Sequence, residues 1–459
     1  MSKYKGVSLS SFFNSDFALI TFYFFLGMLC VNIYPTIKIP YFLFLFLMFY
    51  RSNRDYLYFL LLFILMQGPG GFFSKYDRFI INLSDTVGVP FEYFFILIAL
   101  IKFRNKLFKR KYYFVALKFI LFYYILLIPV SIIFGLSLGS TFTFILSSIS
   151  LILFLLLPVV FNNKIILEKS IKIIFFTTIL LFSLQIFDLI FPYTLYSLSD
   201  TFDYMLLDKS EFSRVSWVRW FSFLSITCSL FFLSLREISF SRGFLSTIVI
   251  IALLSTFLTA TRGYILQFLF LIFVYFTIQK NKSFGLLILG IIFLAISYNF
   301  ISPVKRQIDY AAERMLTLES VIKGDMTAEG TLIRITQRAP RVWNKYIESP
   351  IFGFGFSETG FSYNDGHVGN YTLLLQGGLV GVIIFIFFII SIIRILFQDY
   401  YRNKDKLGNL IIIGSIISLI IAHSTSSIFF TYFFEPALMF VMGFILIFIQ
   451  IYVFNINQK

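Results

Sequence analysis

Hydrophobic residues along this chain come in long unbroken runs, not in alternation with polar ones. Runs near 17–34, 36–50, 56–73, 88–102, 113–134, 141–161, 171–191, 215–235, 243–260, 263–278, 283–301, 368–393, 408–428 and 433–454 are each long enough, or nearly so, to cross about 30 Å of hydrocarbon as an α-helix. The pattern predicts an all-α polytopic membrane protein with about 12 to 14 transmembrane helices, the short second run being the weakest member. Strands of a membrane barrel would alternate in short segments, so a barrel is excluded. Lys3 and Lys5 precede a first run long enough to stay in the bilayer, which reads as a retained span and not as a cleaved signal peptide.

One polar stretch breaks the pattern. It divides the chain into N-terminal spans over 1–301, a loop over 302–367 and C-terminal spans over 368–459. Within it, Ile308, Ala311, Met315, Leu318 and Ile322 keep a three-or-four spacing that predicts a helix from Pro303 to Ile322, ended by Lys323-Gly324-Asp325. A second helix is predicted from about Thr331 to Glu348, interrupted or kinked at Pro340 and stopped by Ser349-Pro350. Gly353, Gly355 and Gly360 then punctuate an aromatic-rich loop, and Asn364-Asp365-Gly366 forms a turn that delivers His367 to the next span.

At about 100° per residue, Arg334, Arg338, Arg341 and Lys345 fall within an arc of roughly 60° on that second helix, opposite Ile335, Ala339, Val342 and Tyr346. Such a stripe suits a solvated face, anionic headgroups or a bound phosphate. Arg262 favours the last. It sits in Thr259-Ala260-Thr261-Arg262-Gly263 between two apolar runs, where an unpaired charge is expensive, so it should face a cavity or a partner. Arginine also offers a planar fork of donors that matches phosphate better than a lysine point charge does.

Composition settles the class: 59% hydrophobic, 13% charged and a mean hydropathy of +0.88 exclude a soluble domain of 459 residues. The net charge of +15 is a topology signal, not a nucleic-acid footprint. Cations cluster in alternate connections: Arg51 and Arg54; Lys102 to Lys111; Lys164, Lys169 and Lys172; Arg236 and Arg242; Lys280 and Lys282; Arg394 to Lys406. By the positive-inside rule these loops and both termini are cytoplasmic, which puts 302–366 on the opposite side. Cys30 and Cys228 both fall inside apolar runs and offer no disulfide framework. Of the two histidines, His423 lies within a span beside Ser424, Thr425 and Ser426 and reads as structural. His367 follows the arginine-bearing helix at the membrane surface, where a neutral imidazole can take a proton from an incoming hydroxyl.

The run of Arg334, Trp343, Ser349-Pro350-Ile351-Phe352-Gly353-Phe354-Gly355, His367, Asn370 and Gly377-Gly378-Leu379-Val380-Gly381 resembles the signature of the O-antigen polymerase and O-antigen ligase superfamily. Thr261-Arg262-Gly263 is similar to that superfamily's Ser-Arg-Gly element. The motif resemblance covers about the last two-fifths of the chain, and the hydropathy profile agrees over nearly all of it.

The resemblance implies a metal-independent, inverting glycosyltransferase of the bacterial inner membrane that needs no cofactor. It implies an undecaprenyl-diphosphate-linked oligosaccharide as substrate, the bilayer, a chain-length regulator and a flippase as partners, and no nucleic acid. His367, Arg262 and Arg334 take the catalytic roles; Arg338, Arg341, Lys345, Arg219 and Asn370 contact diphosphate or glycan; no residue is assigned to metal. A polymerase joining repeat units is the first expectation. A ligase acting on lipid A core is the second, and a lipid-linked oligosaccharide flippase is the rival from another class.

Overall fold

The computed structural model describes residues 16–30, 37–66, 80–82, 88–107, 114–191, 219–235, 240–259, 262–278, 334–365, 368–402, 406–423, 436–449 and 451, with scattered positions between 292 and 312. The helix expected over Pro303 to Ile322 falls mostly outside them, and His367 falls wholly outside. In chain order the helices are α1 (Asp16–Met28), α2 (Lys38–Arg51), α3 (Asp55–Leu65), α4 (Phe91–Leu107), α5 (Phe114–Ile133), α6 (Leu138–Val160), α7 (Lys164–Ile190), α8 (Arg219–Ser234), α9 (Arg242–Leu258), α10 (Arg262–Ile278), α11 (Ala339–Tyr346), α12 (Glu358–Tyr363), α13 (Gly369–Arg402), α14 (Lys406–His423) and α15 (Pro436–Ile449). A short antiparallel ribbon, Ile80–Asn82 against Gly88–Pro90, leads into α4. The fold is mostly helical, as the continuous apolar runs require.

Three helices among the described residues are long and apolar enough to cross a membrane: Leu138–Val160, Lys164–Phe187 and Gly369–Phe397. Among the shorter apolar helices, α8 and α9 pack against α7, and α10 packs on α8, α9 and α14. Their interior is built from aromatic and branched side chains. Phe63 stacks on Phe440 with centroids 4.4 Å apart, and Phe42 on Phe91 at 4.7 Å. Small hydroxyls join the helices where backbones approach: Thr178 Oγ1 lies 2.7 Å from Ser225 Oγ, and Thr227 Oγ1 lies 3.1 Å from Ser415 Oγ. Ser255 Oγ donates to Gln185 Oε1 at 2.9 Å, and Gln185 Nε2 donates back to the Ser255 carbonyl at 3.1 Å. In a chain of this hydropathy such bonds satisfy groups that lipid could not.

Around Pro340 the polar segment is interrupted. A π-helical turn, Arg334–Arg338, precedes α11, and Pro340 occupies the first turn of α11, so of the two expected outcomes the helix is interrupted. The missing proline N–H would leave the carbonyl of Thr336 without its usual partner, and a widened turn offers it the next amide. The stripe therefore changes pitch between Arg334 and Arg341.

Beyond α11 the chain makes an elbow, Pro350–Gly355, that pairs with a break in α13. At Gly378 the helix departs to φ 60°, ψ −162°. Leu379 N–H and Val380 N–H then donate to the carbonyls of Pro350 and Ile351 at 2.9 and 3.1 Å. In return Phe354 N–H and Gly355 N–H donate to the carbonyls of Leu375 and Gln376, each at 2.8 Å. Hydrogen bonds lost by the helix at its break are thus recovered from the elbow, residue for residue. Glycine is required there because an added Cβ at Gly378 would lie 2.3 Å from the Ile351 carbonyl oxygen. The elbow is pinned at its far end too, where Phe356 N–H donates to Ser131 Oγ of α5 at 2.7 Å and Glu358 N–H to the Gly135 carbonyl at 3.0 Å.

Candidate functional site: two groups of arginines

The first group forms where α8 and α10 begin. Arg219 opens α8, and its side chain is buried, with 9% exposure. Its guanidinium lies over the rings of Trp220 and Tyr264, at 4.0 and 4.2 Å. Tyr264 stands in the first turn of α10, so Arg219 is held against the turn that Arg262 opens. Two aromatic faces hold a guanidinium plane and leave its edge for hydrogen bonds. That edge is vacant: Nε and Nη2 of Arg219 are buried without a hydrogen-bond partner. A buried cation with unused donors is costly unless an anion or water completes it.

Polar side chains tie the neighbouring helix ends together. Thr259 closes α9, with Oγ1 bonded to the Thr256 carbonyl at 2.7 Å. Gln307, from the start of the polar segment, donates to the Leu258 carbonyl at 2.7 Å, while Val304 packs on Leu189 and Leu258. The polar segment therefore begins directly beside the Arg262 turn. One turn along α10 from Tyr264, Gln267 is buried with both amide atoms unpartnered.

The second group gathers on a carboxylate. Asp365, only 9% exposed, faces Arg338 Nη1 and Arg341 Nη2, both at 3.5 Å. Arg341 Nη2 also donates to the Asn364 carbonyl at 3.4 Å. Thr372, in the first turn of α13, fixes the turn itself by donating to the Asp365 carbonyl at 2.8 Å. So Asp365 ties the start of α11 to the segment that follows α12. Lys345 leaves the stripe. It pairs with Glu348 at 2.5 Å and lies over the rings of Phe354 and Tyr363.

The sequence-derived residues thus separate. Arg219 and the Arg262 turn come together; Arg338 and Arg341 come together with Asp365; Arg334 opens the π turn, half-buried. Asn370 is exposed on the first turn of α13, next to Tyr371, whose ring meets Trp343 edge-on at 5.9 Å. His423 closes α14. Asp365 was read only as part of a turn, and the Trp220–Tyr264 clamp on Arg219 was not anticipated. The available signal for the clamp was Tyr264 itself, two residues beyond Arg262. The chain matches no protein-family model and no curated protein sequence.

Proposed function

We propose that this chain is an integral-membrane glycosyltransferase, a polymerase of O-antigen or a related surface polysaccharide, acting on undecaprenyl-diphosphate-linked repeat units on the non-cytoplasmic side of the membrane. The observation that carries the proposal is Arg219. A buried guanidinium, clamped by two rings beside the Arg262 turn and with Nε and Nη2 unused, is a ready receptor for a diphosphate.

In this reading the donor diphosphate lies between Arg219 and Arg262, with the sugar toward the polar segment. The acceptor hydroxyl attacks C1 of the donor sugar. The new O–C1 bond forms as the bond from C1 to the diphosphate oxygen breaks, which inverts the anomeric centre. His367 takes the hydroxyl proton, and the lipid diphosphate leaves with the bonding electrons. Arg219 and Arg262 stabilise that departing charge in a site shielded from water, where fixed donors count most. Arg338 and Arg341, only half offset by the single carboxylate of Asp365, carry a net positive charge and attract the second lipid-linked chain. The motif resemblance from Arg334 to Gly381 supports the same reading.

The test is glycan extension by purified protein in lipid nanodiscs, given lipid-diphosphate-linked repeat units and EDTA with no nucleotide. The polymerase lengthens the glycan under these conditions. Protein that moves lipid-linked sugar across vesicles without ever lengthening it is a flippase. Transfer confined to lipid A core makes it the ligase.

A further inference from the structure

Each helix of the Arg219 clamp carries a further orphaned polar group one turn along. On α10, Gln267 stands three residues beyond Tyr264 and is 1% exposed, and neither its amide nitrogen nor its oxygen has a hydrogen-bond partner among the described residues. On α8, Ser222 stands three residues beyond Arg219 and is fully buried, with its hydroxyl equally unpartnered. Ser225 and Thr227 of the same helix do find partners, in Thr178 and Ser415.

A side chain on a helix leans toward the N-terminus, over the turn three to four residues back. The Gln267 carboxamide therefore leans over Gly263 and Tyr264, and Gly263 brings no side chain to fill the space. The Ser222 hydroxyl leans over the turn that Arg219 opens. Inward of these groups Phe223 and Phe268 meet edge-on, with centroids 6.2 Å apart. Both helices advance four residues from the Arg219–Tyr264 contact to the Phe223–Phe268 contact, so α8 and α10 run parallel here and the two rings close the seam. Between clamp and floor, Arg219 Nε and Nη2, Gln267 Nε2 and Ser222 Oγ are unused donors within about one turn of helix. Burying them empty is costly, and an anion that accepts from all of them recovers that cost.

A prenyl diphosphate has two unequal ends. Its chain stays in hydrocarbon, so the phosphate esterified to the chain sits deeper than the phosphate esterified to the sugar. Gln267 and Ser222 lie inward of Arg219, along helices that are themselves apolar. We propose that they form a subsite for the lipid-side phosphate, Gln267 Nε2 and Ser222 Oγ donating to its oxygens, while Arg219 takes the sugar-side phosphate. A water held by the phosphate supplies the donor for Gln267 Oε1. The inference rests on the lipid-diphosphate reading of Arg219 and divides that ligand between two sets of donors.

Calorimetry in nanodiscs tests it, with undecaprenyl diphosphate and undecaprenyl monophosphate as probes, because the monophosphate carries the lipid-side phosphate alone. Gln267→Leu should weaken both lipids by a similar factor, roughly 10- to 100-fold, the loss of a hydrogen bond to a charged group. Ser222→Ala should also weaken both alike, and it carries the test should Gln267→Leu lose its fold. Arg219→Ala should instead weaken the diphosphate more than the monophosphate. Wild-type affinity for the monophosphate in Gln267→Leu and Ser222→Ala overturns the subsite, and leaves the proposed function standing when Arg219→Ala still loses the diphosphate. Wild-type binding of the diphosphate in all three variants overturns both.

Discussion

Replacing Gly378 with alanine strikes the junction between the elbow and α13. The new side chain would have to adopt φ 60°, ψ −162°, a region open essentially to glycine, at a cost of about 1–3 kcal/mol. Its Cβ would also stand 2.3 Å from the Ile351 carbonyl oxygen and 2.6 Å from Gly353 N. Both are backbone atoms and cannot swing aside. Relief requires the elbow to withdraw, which releases the bonds from Leu379 and Val380, each contributing about 0.5–1.5 kcal/mol. The sum is about 2–6 kcal/mol of destabilisation. Gly135→Ala is the control. It shares a positive φ of 83° but has nothing within 4 Å of the added Cβ, so it loses only the conformational term, about 1–2 kcal/mol. The two variants, purified in detergent and unfolded by graded SDS with tryptophan fluorescence as readout, should separate clearly. A Gly378→Ala midpoint equal to or above that of Gly135→Ala refutes the reasoning.

Gln267→Leu should raise the SDS midpoint, since the amide is buried with both polar atoms unpartnered and an orphaned group costs about 1–3 kcal/mol; a lower midpoint contradicts this. Ser131→Ala removes the acceptor of the buried Phe356 amide and should lower the same midpoint by about 1–3 kcal/mol, so an unchanged midpoint would show that this bond is not formed. Arg338→Glu places a second carboxylate against the mostly buried Asp365, while Gln337→Glu adds its charge at an exposed position. In cells of the native host lacking the wild-type protein, polymer resolved on a lipopolysaccharide gel should be lost with the first and retained with the second. Equal behaviour would contradict the placement of Arg338.

Much of the helical framework was legible because long apolar runs are a local property. The runs that became α6, α7 and α13 stand out in the sequence, as do the glycines that punctuate the elbow. The break in α13 was not legible. Residues 368–393 read as one membrane-crossing run, and the reason for the break is a partner segment that precedes it and folds back on it. Pro340 announced an interruption, but not that the turn before it would widen into a π turn while the helix after it stayed regular.

The candidate site divides in the same way. Helical spacing marked Arg338 and Arg341 as neighbours, yet their carboxylate lies 27 and 24 residues further on, and pairing across that distance is a tertiary fact. Lys345 shared the spacing and still left the group for Glu348 and two rings, because nearby partners compete for a half-buried cation. Arg219 is the sharpest case. In the sequence it is a cation at the edge of an apolar run; only the packing of α8 against α10 turns it into a clamped guanidinium.

The most direct test of the account is binding of undecaprenyl diphosphate to Arg219→Ala, measured by calorimetry in nanodiscs with undecaprenyl monophosphate as comparison. Charge-assisted hydrogen bonds of about 1.5–3 kcal/mol correspond to a roughly 10- to 100-fold loss of diphosphate affinity. Binding of the monophosphate should change less, and Arg54→Ala, whose arginine pairs with Asp16, should bind like wild type. Wild-type affinity for the diphosphate in Arg219→Ala would contradict the central claim.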